Sequence, residues 1–168
     1  MNCYLGVISV AQNRRCRTNL ARLEDYDMAI TFENEERLRA LAAFLPVVEA
    51  DGFSPGEMVF PPDAPDGVSR FPYASESEPI REFFQMLHEK NWVVPFNWTG
   101  WVDSQEAKEL FAEDGHALSK ATEEQLSKML TACVRRDRFS EGSLLANFES
   151  GLMTRILRRA DALLREAH

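Results

Sequence analysis

Residues 122–142 read TEEQLSKMLTACVRRDRFSEG, and this stretch decides the fold class. Thr122 and Gln125 stand at capping-box spacing, in which a hydroxyl and an amide each satisfy an orphan backbone group at a helix start. Glu123 and Glu124 put negative charge in the first turn, where it offsets the helix dipole. Leu126, Met129, Leu130, Cys133 and Val134 fall at helical spacing and form an apolar stripe down to Arg136, which predicts a core helix with Cys133 facing inward. Just downstream, Ser140 has the chemistry of an N-cap for a second helix through Ser150, with Gly151 as the residue that ends it. A last helix carries Leu152, Ile156, Ala160, Leu163 and Leu164 along one side, with Arg155, Arg158 and Arg159 away from that stripe or at its border.

The same reasoning extends upstream. Ser75 and Glu78 have capping-box spacing, Pro79 suits a first turn, and Ile80, Phe83, Phe84 and Leu87 recur at helical intervals, so a helix is predicted to end near Asn91. Asn34 is placed to cap a helix whose apolar face is Leu38, Leu41, Ala42 and Leu45, with Pro46 limiting it. Between these two, residues 50–74 hold five prolines together with Gly52, Gly56 and Gly67, which reads as a long loop with room for one extended piece. Pro95 and Gly100 break regular structure after Trp92, and Asp103 with Glu106 opens a short helix through Phe111. At the start of the chain, a short strand at 4–10 and a helix at 13–25 are weakly bounded. The reading is a mainly α protein, with residues 1–30 an N-terminal extension of open order. Residues 31–168 form a single compact domain of about five to six helices with at most minor β structure.

Composition agrees with a globular chain. Of 168 residues, 45% are apolar and 27% charged, which excludes general disorder and supplies a core able to fold without staples. Cys3, Cys16 and Cys133 are odd in number and lack the spacing of a zinc site or redox pair, so a reduced, cytoplasmic protein is expected. The apolar run at 4–11 is too short to cross a bilayer and has no basic flank, so no membrane association is expected. The net charge of −8 is uneven: residues 33–124 hold 19 acidic against 7 basic residues, net −12, and residues 125–168 hold 5 against 8, net +3. An acidic middle disfavours phosphate backbones, whose affinity comes from Lys and Arg releasing counterions. It favours a basic protein surface, and it also keeps a protein soluble.

Two clusters are candidates for a site. Arg135, Arg136, Asp137, Arg138, Ser140, Glu141 and Ser143 lie at the junction of two predicted helices. Free N–H groups at a helix start, beside arginines able to grip an oxyanion as a fork, make Arg135, Arg138, Ser140 and Glu141 a candidate anion site. The other reading has Asp137 and Glu141 pairing with these arginines to lock the corner. Trp92, Phe96, Trp98 and Trp101 form either a contact surface, since aromatics dominate interface energetics, or part of the core. His88, His116 and His168 lack metal-ligand spacing, and there is no nucleophile elbow, phosphate loop or dinucleotide fingerprint. No catalytic residue, metal or cofactor is therefore expected.

Several stretches together resemble a bacterial and phage domain family of unknown function. They are Leu38 to Pro46, Pro72-Tyr73, Trp92 to Trp98, Leu130 to Gly142, Phe148 to Gly151 and Ile156 to Arg159, and the resemblance spans about residues 33–165. Its signature is Arg-x-Asp-Arg-Phe-x-Glu-Gly, here Arg135 to Gly142. The resemblance implies a fold relationship and a frequent neighbourhood of mobile elements, and within the cluster it carries over Arg135, Arg138 and Glu141. The expected function is a non-catalytic binding or regulatory protein acting by protein contact. Its acidic surface would serve a mobile element by blocking a basic, nucleic-acid-binding target such as a defence complex. The alternative is an enzyme or sensor holding an anionic small ligand at the Arg135–Glu141 corner; direct nucleic-acid binding ranks last.

Overall fold

The structure is a computed structural model that describes residues 32–62 and 69–166. In chain order it has helices at 32–42 (α1) and Leu45–Val48 (α2), then strands at Gly56–Val59 (β1) and Tyr73–Glu76 (β2). Helices follow at Glu78–Glu89 (α3), Trp98–Val102 (α4), Gln105–Leu110 (α5), Glu123–Asp137 (α6), Ser143–Glu149 (α7) and Leu152–Glu166 (α8). The described residues are thus mainly helical with one two-stranded sheet, and no helix among them is long and apolar enough to cross a membrane. The chain divides into two units, Met1–Glu36 and Arg37–His168, and the core belongs to the second. The strand and helix expected at 4–10 and 13–25 lie outside the described residues.

At the centre is α6. Its capping box forms as the spacing requires, the Gln125 N–H donating to Thr122 Oγ1 at 3.3 Å and the Thr122 N–H to Gln125 Oε1 at 2.9 Å. The helix is buried well beyond its apolar stripe: Ser127, Thr131 and Ala132 are buried along with Leu126, Met129, Leu130, Cys133 and Val134. A helix enclosed on most sides must satisfy its polar groups internally. The Ser127 hydroxyl accepts from Arg37 Nη2 at 3.2 Å, and Thr131 Oγ1 donates to the Ser127 carbonyl at 2.7 Å while accepting the Val94 N–H at 2.9 Å. That last bond pins the segment after α3 onto α6. Around α6, Leu38 and Leu41 of α1, Ile80, Phe83 and Leu87 of α3, Leu144 and Phe148 of α7, and Met153, Ile156 and Leu157 of α8 complete the core. Each such side chain contributes about 1.5–3 kcal/mol by leaving water. Phe83 stands edge-on to both Phe44 and Phe148, with centroids 5.2 and 5.5 Å away.

Arg37 ties α1 to the two helices below it. Its guanidinium meets Glu123 Oε1 at 2.7 Å, donates to the Lys90 and Asn91 carbonyls, and lies 4.6 Å from the Trp92 ring centroid. Burial pushes the Glu123 carboxyl above its ordinary range, and the adjacent guanidinium opposes this. The effect of desolvation is therefore the larger.

Several local expectations are corrected. α1 already runs at residue 32, so Asn34 lies inside the helix instead of capping it. Ser75 and Glu76 belong to β2, and α3 begins after Ser77. Trp98–Val102 is helical despite Gly100, because the Asn97 side chain accepts the Gly100 N–H and caps it; Ser104, not Asp103, then caps α5. The Pro- and Gly-rich stretch holds two paired strands where one extended piece was expected, in the register Gly56 opposite Glu76 and Val59 opposite Tyr73. Gly56 has φ +131° and leaves room for the Ser75 carbonyl where a Cβ would sit, so only glycine opens this ribbon.

Candidate functional site

The corner between α6 and α7 is built by carboxylates that bond to backbone, not to arginine. Asp137 Oδ1 accepts the Leu144 N–H at 2.9 Å and the Ser143 hydroxyl at 3.3 Å, so the α7 start is capped from the end of α6. Ser140, expected as the cap, is exposed, and its N–H bonds back to the Arg136 carbonyl at 3.1 Å. The residue before α7 is Gly142, buried, at φ +79°. Glu141 Oε1 accepts the Ala74 N–H at 2.8 Å and so holds β2 against the corner. Met58 of β1 occupies the space where a Cβ on Gly142 would be. The apolar stripe Leu144, Leu145 and Phe148 starts only at 144, and that was the available signal for a later helix start.

The positive charge at this corner is left over. Arg135, Arg136 and Arg138 make no side-chain hydrogen bond or ion pair among the described residues. Arg135 is half-buried, and Arg136 and Arg138 are exposed. Carboxylates gather on the ribbon side instead. Glu76 is pushed above the usual carboxylate range, chiefly by burial and then by the charge of Asp137, with Glu141 adding to it and Arg81 opposing. Of the four candidate anion ligands, Glu141 is thus engaged with the ribbon, Ser140 and Glu141 line a cleft beneath the corner, and Arg135 and Arg138 do not line it.

The aromatic residues divide. Trp92 is fully buried, and its Nε1–H donates to the Arg37 carbonyl at 3.3 Å, so it belongs to the core and not to a contact surface. Trp101 is half-buried against Phe96 and Phe111, with its Nε1–H on Glu106 Oε2 at 2.8 Å. Trp98 stacks on Phe139, centroids 6.2 Å apart, and Phe139 is 81% exposed. The ribbon adds an aromatic group that the sequence reading missed. Phe60, Phe71 and Tyr73 are 74%, 89% and 51% exposed, beside and just beyond the Val59–Tyr73 pair. Aromatic residues bracketing a Pro-rich stretch of sequence were the signal that could have found it.

Beneath the corner, between α5, α6 and α7, lies a cleft of about 590 Å³ reaching Cys133. Burial pushes the Cys133 thiol up to about 12, with the Arg136 guanidinium acting the other way, so the sulfur is a small apolar group and no nucleophile at neutral pH. Among the described residues, no group of His, Cys, Asp or Glu has a geometry that could hold a metal ion.

Comparison with known proteins adds one relationship. No curated protein and no solved structure matches the chain. A family model described as a family of unknown function (DUF6508) matches residues 33–166. With α2 to α8, the ribbon, the Arg135–Gly142 corner and all but the first residue of α1 inside that span, the chain belongs to this family of unknown function.

Proposed function

We propose that the protein acts by binding another protein through the aromatic surface of the ribbon and the adjoining corner. One observation carries this reading: Phe60, Phe71, Tyr73 and Phe139 stand in water on two segments that Glu141 joins. Leaving a large aromatic exposed forfeits about 1.5–3 kcal/mol of burial per side chain. Aromatic side chains are also the residues that concentrate binding energy at interfaces. Charge specifies the partner further. Residues 51–78 hold six acidic residues against one basic residue, so the complementary surface is an apolar recess bordered by Lys and Arg. In its finer form the protein is a non-catalytic, acidic inhibitor carried by a phage or another mobile element, which covers the basic, nucleic-acid-binding face of a defence complex. The net −12 of residues 33–124 and the Arg135–Gly142 signature support that form. The test is co-precipitation from host lysate at low and high salt, wild type beside a Phe71→Ser, Tyr73→Ser, Phe139→Ser triple variant. Retention of a basic protein by wild type alone, weakened by salt, supports the reading. Equal retention by both proteins, or retention of nucleic acid in its place, refutes it.

A further inference from the structure

The cleft beneath the corner is lined by three helices. Ala107 of α5, Ala132 and Cys133 of α6 and Ala146 of α7 line it. Ala107, Ala132 and Cys133 are buried, so the apolar surface that the cleft offers comes from the exposed Ala146 and from two half-buried side chains. Val102 and Phe111 extend the apolar wall. At the mouth the chemistry changes: Lys108, Arg136 and Asn147 line the rim, and none of the three side chains has a hydrogen-bond or ion-pair partner among the described residues. The carboxylate on that rim, Glu141, is already held by the Ala74 N–H. The rim therefore offers two unpaired cations and a free amide above an apolar floor, in a chain whose net charge is −8.

We propose that this cleft binds a small organic anion: an apolar body against Val102, Phe111 and Ala146, with a carboxylate, sulfonate or phosphate ester at Lys108 and Arg136. Its volume falls in the range of small-molecule sites, about 300–1,000 Å³. Charge-assisted bonds to Lys and Arg select an anionic head, and the amide of Asn147 can donate to the same group. The site goes beyond the protein-contact reading and uses different residues, since the exposed ribbon aromatics do not line the cleft. It also shifts the anion chemistry expected at Arg135 and Arg138 to the next face of α6.

Anilinonaphthalene sulfonate serves as the probe, its fluorescence followed in titration and in competition with decanoate and with decyltrimethylammonium. Binding at one site and displacement by decanoate but not by the cation are expected. Lys108→Gln with Arg136→Gln, both on the surface, should weaken the probe about tenfold. Ala146→Trp, which fills the mouth from an exposed position, should abolish binding, and circular dichroism reports whether it folds. The ribbon and corner triple variant should bind as wild type does, which separates this site from the protein-contact surface. Unchanged affinity in the double variant, or equal displacement by the cation, overturns the proposal.

Discussion

The Glu141 carboxylate accepts the Ala74 N–H at 2.8 Å, across 67 positions of sequence, and so holds a two-stranded ribbon that could not stand alone. Glu141→Ala should cost about 1 kcal/mol in urea unfolding. It should also speed amide exchange in both strands while leaving α6 protected. Unchanged exchange at Met58 and Ala74 would show that the ribbon is held by other contacts.

Asp137 supplies the cap that α7 lacks in its own sequence. Asp137→Ala removes the acceptor of the Leu144 N–H and should destabilise the fold by about 1–2 kcal/mol, whereas Asp137→Asn should recover most of the loss. Melting temperatures of the two variants decide this. Equal losses would mean that charge, and not the hydrogen bond, carries the effect.

Glu76 sets a pH dependence. Burial and the neighbouring Asp137 raise its pKa in the folded protein, so folding favours its protonated form. Its charged form therefore opposes folding as pH rises through the folded value, and the penalty vanishes below the ordinary carboxylate range. Glu76→Gln should melt higher than wild type near neutral pH, and the two curves should converge below about pH 4. A constant offset at every pH would contradict this account.

Cys133 should behave as a packed methyl-sized group. With its thiol pushed up to about 12, iodoacetamide at mildly alkaline pH should leave the Cys133 peptide unmodified in the native protein and alkylate it fully in denaturant, as read by mass spectrometry. Rapid native labelling would show that the cleft floor opens.

The helices were legible where a local rule and the core agreed. Thr122 and Gln125 form the capping box that their spacing demands, and Leu126, Met129, Leu130 and Cys133 are buried as their period requires. What escaped was decided across the chain. β1 and β2 have four residues each with much of their surface exposed, and the bond to Glu141, which holds them to the corner, was invisible from residues 50–78. The corner's composition was read as arginines facing either a ligand or their neighbouring carboxylates. The second of these is corrected: Asp137 and Glu141 satisfy backbone amides, one of them remote, and Arg135, Arg136 and Arg138 stay unpaired among the described residues. The cleft could not be read because its lining comes from residues 102–111 and 132–147, which only the tertiary fold brings together.

Gly142 and Met58 behave as a single position spread over two segments. The left-handed backbone at 142 already disfavours any Cβ, and the methionine sulfur fills the place that such an atom would take. A side chain at 142 becomes tolerable only with a smaller residue at 58. Across the family these two sites should therefore drift together or not at all, an evolutionary trace of the ribbon's docking that can be read from sequences without a further structure.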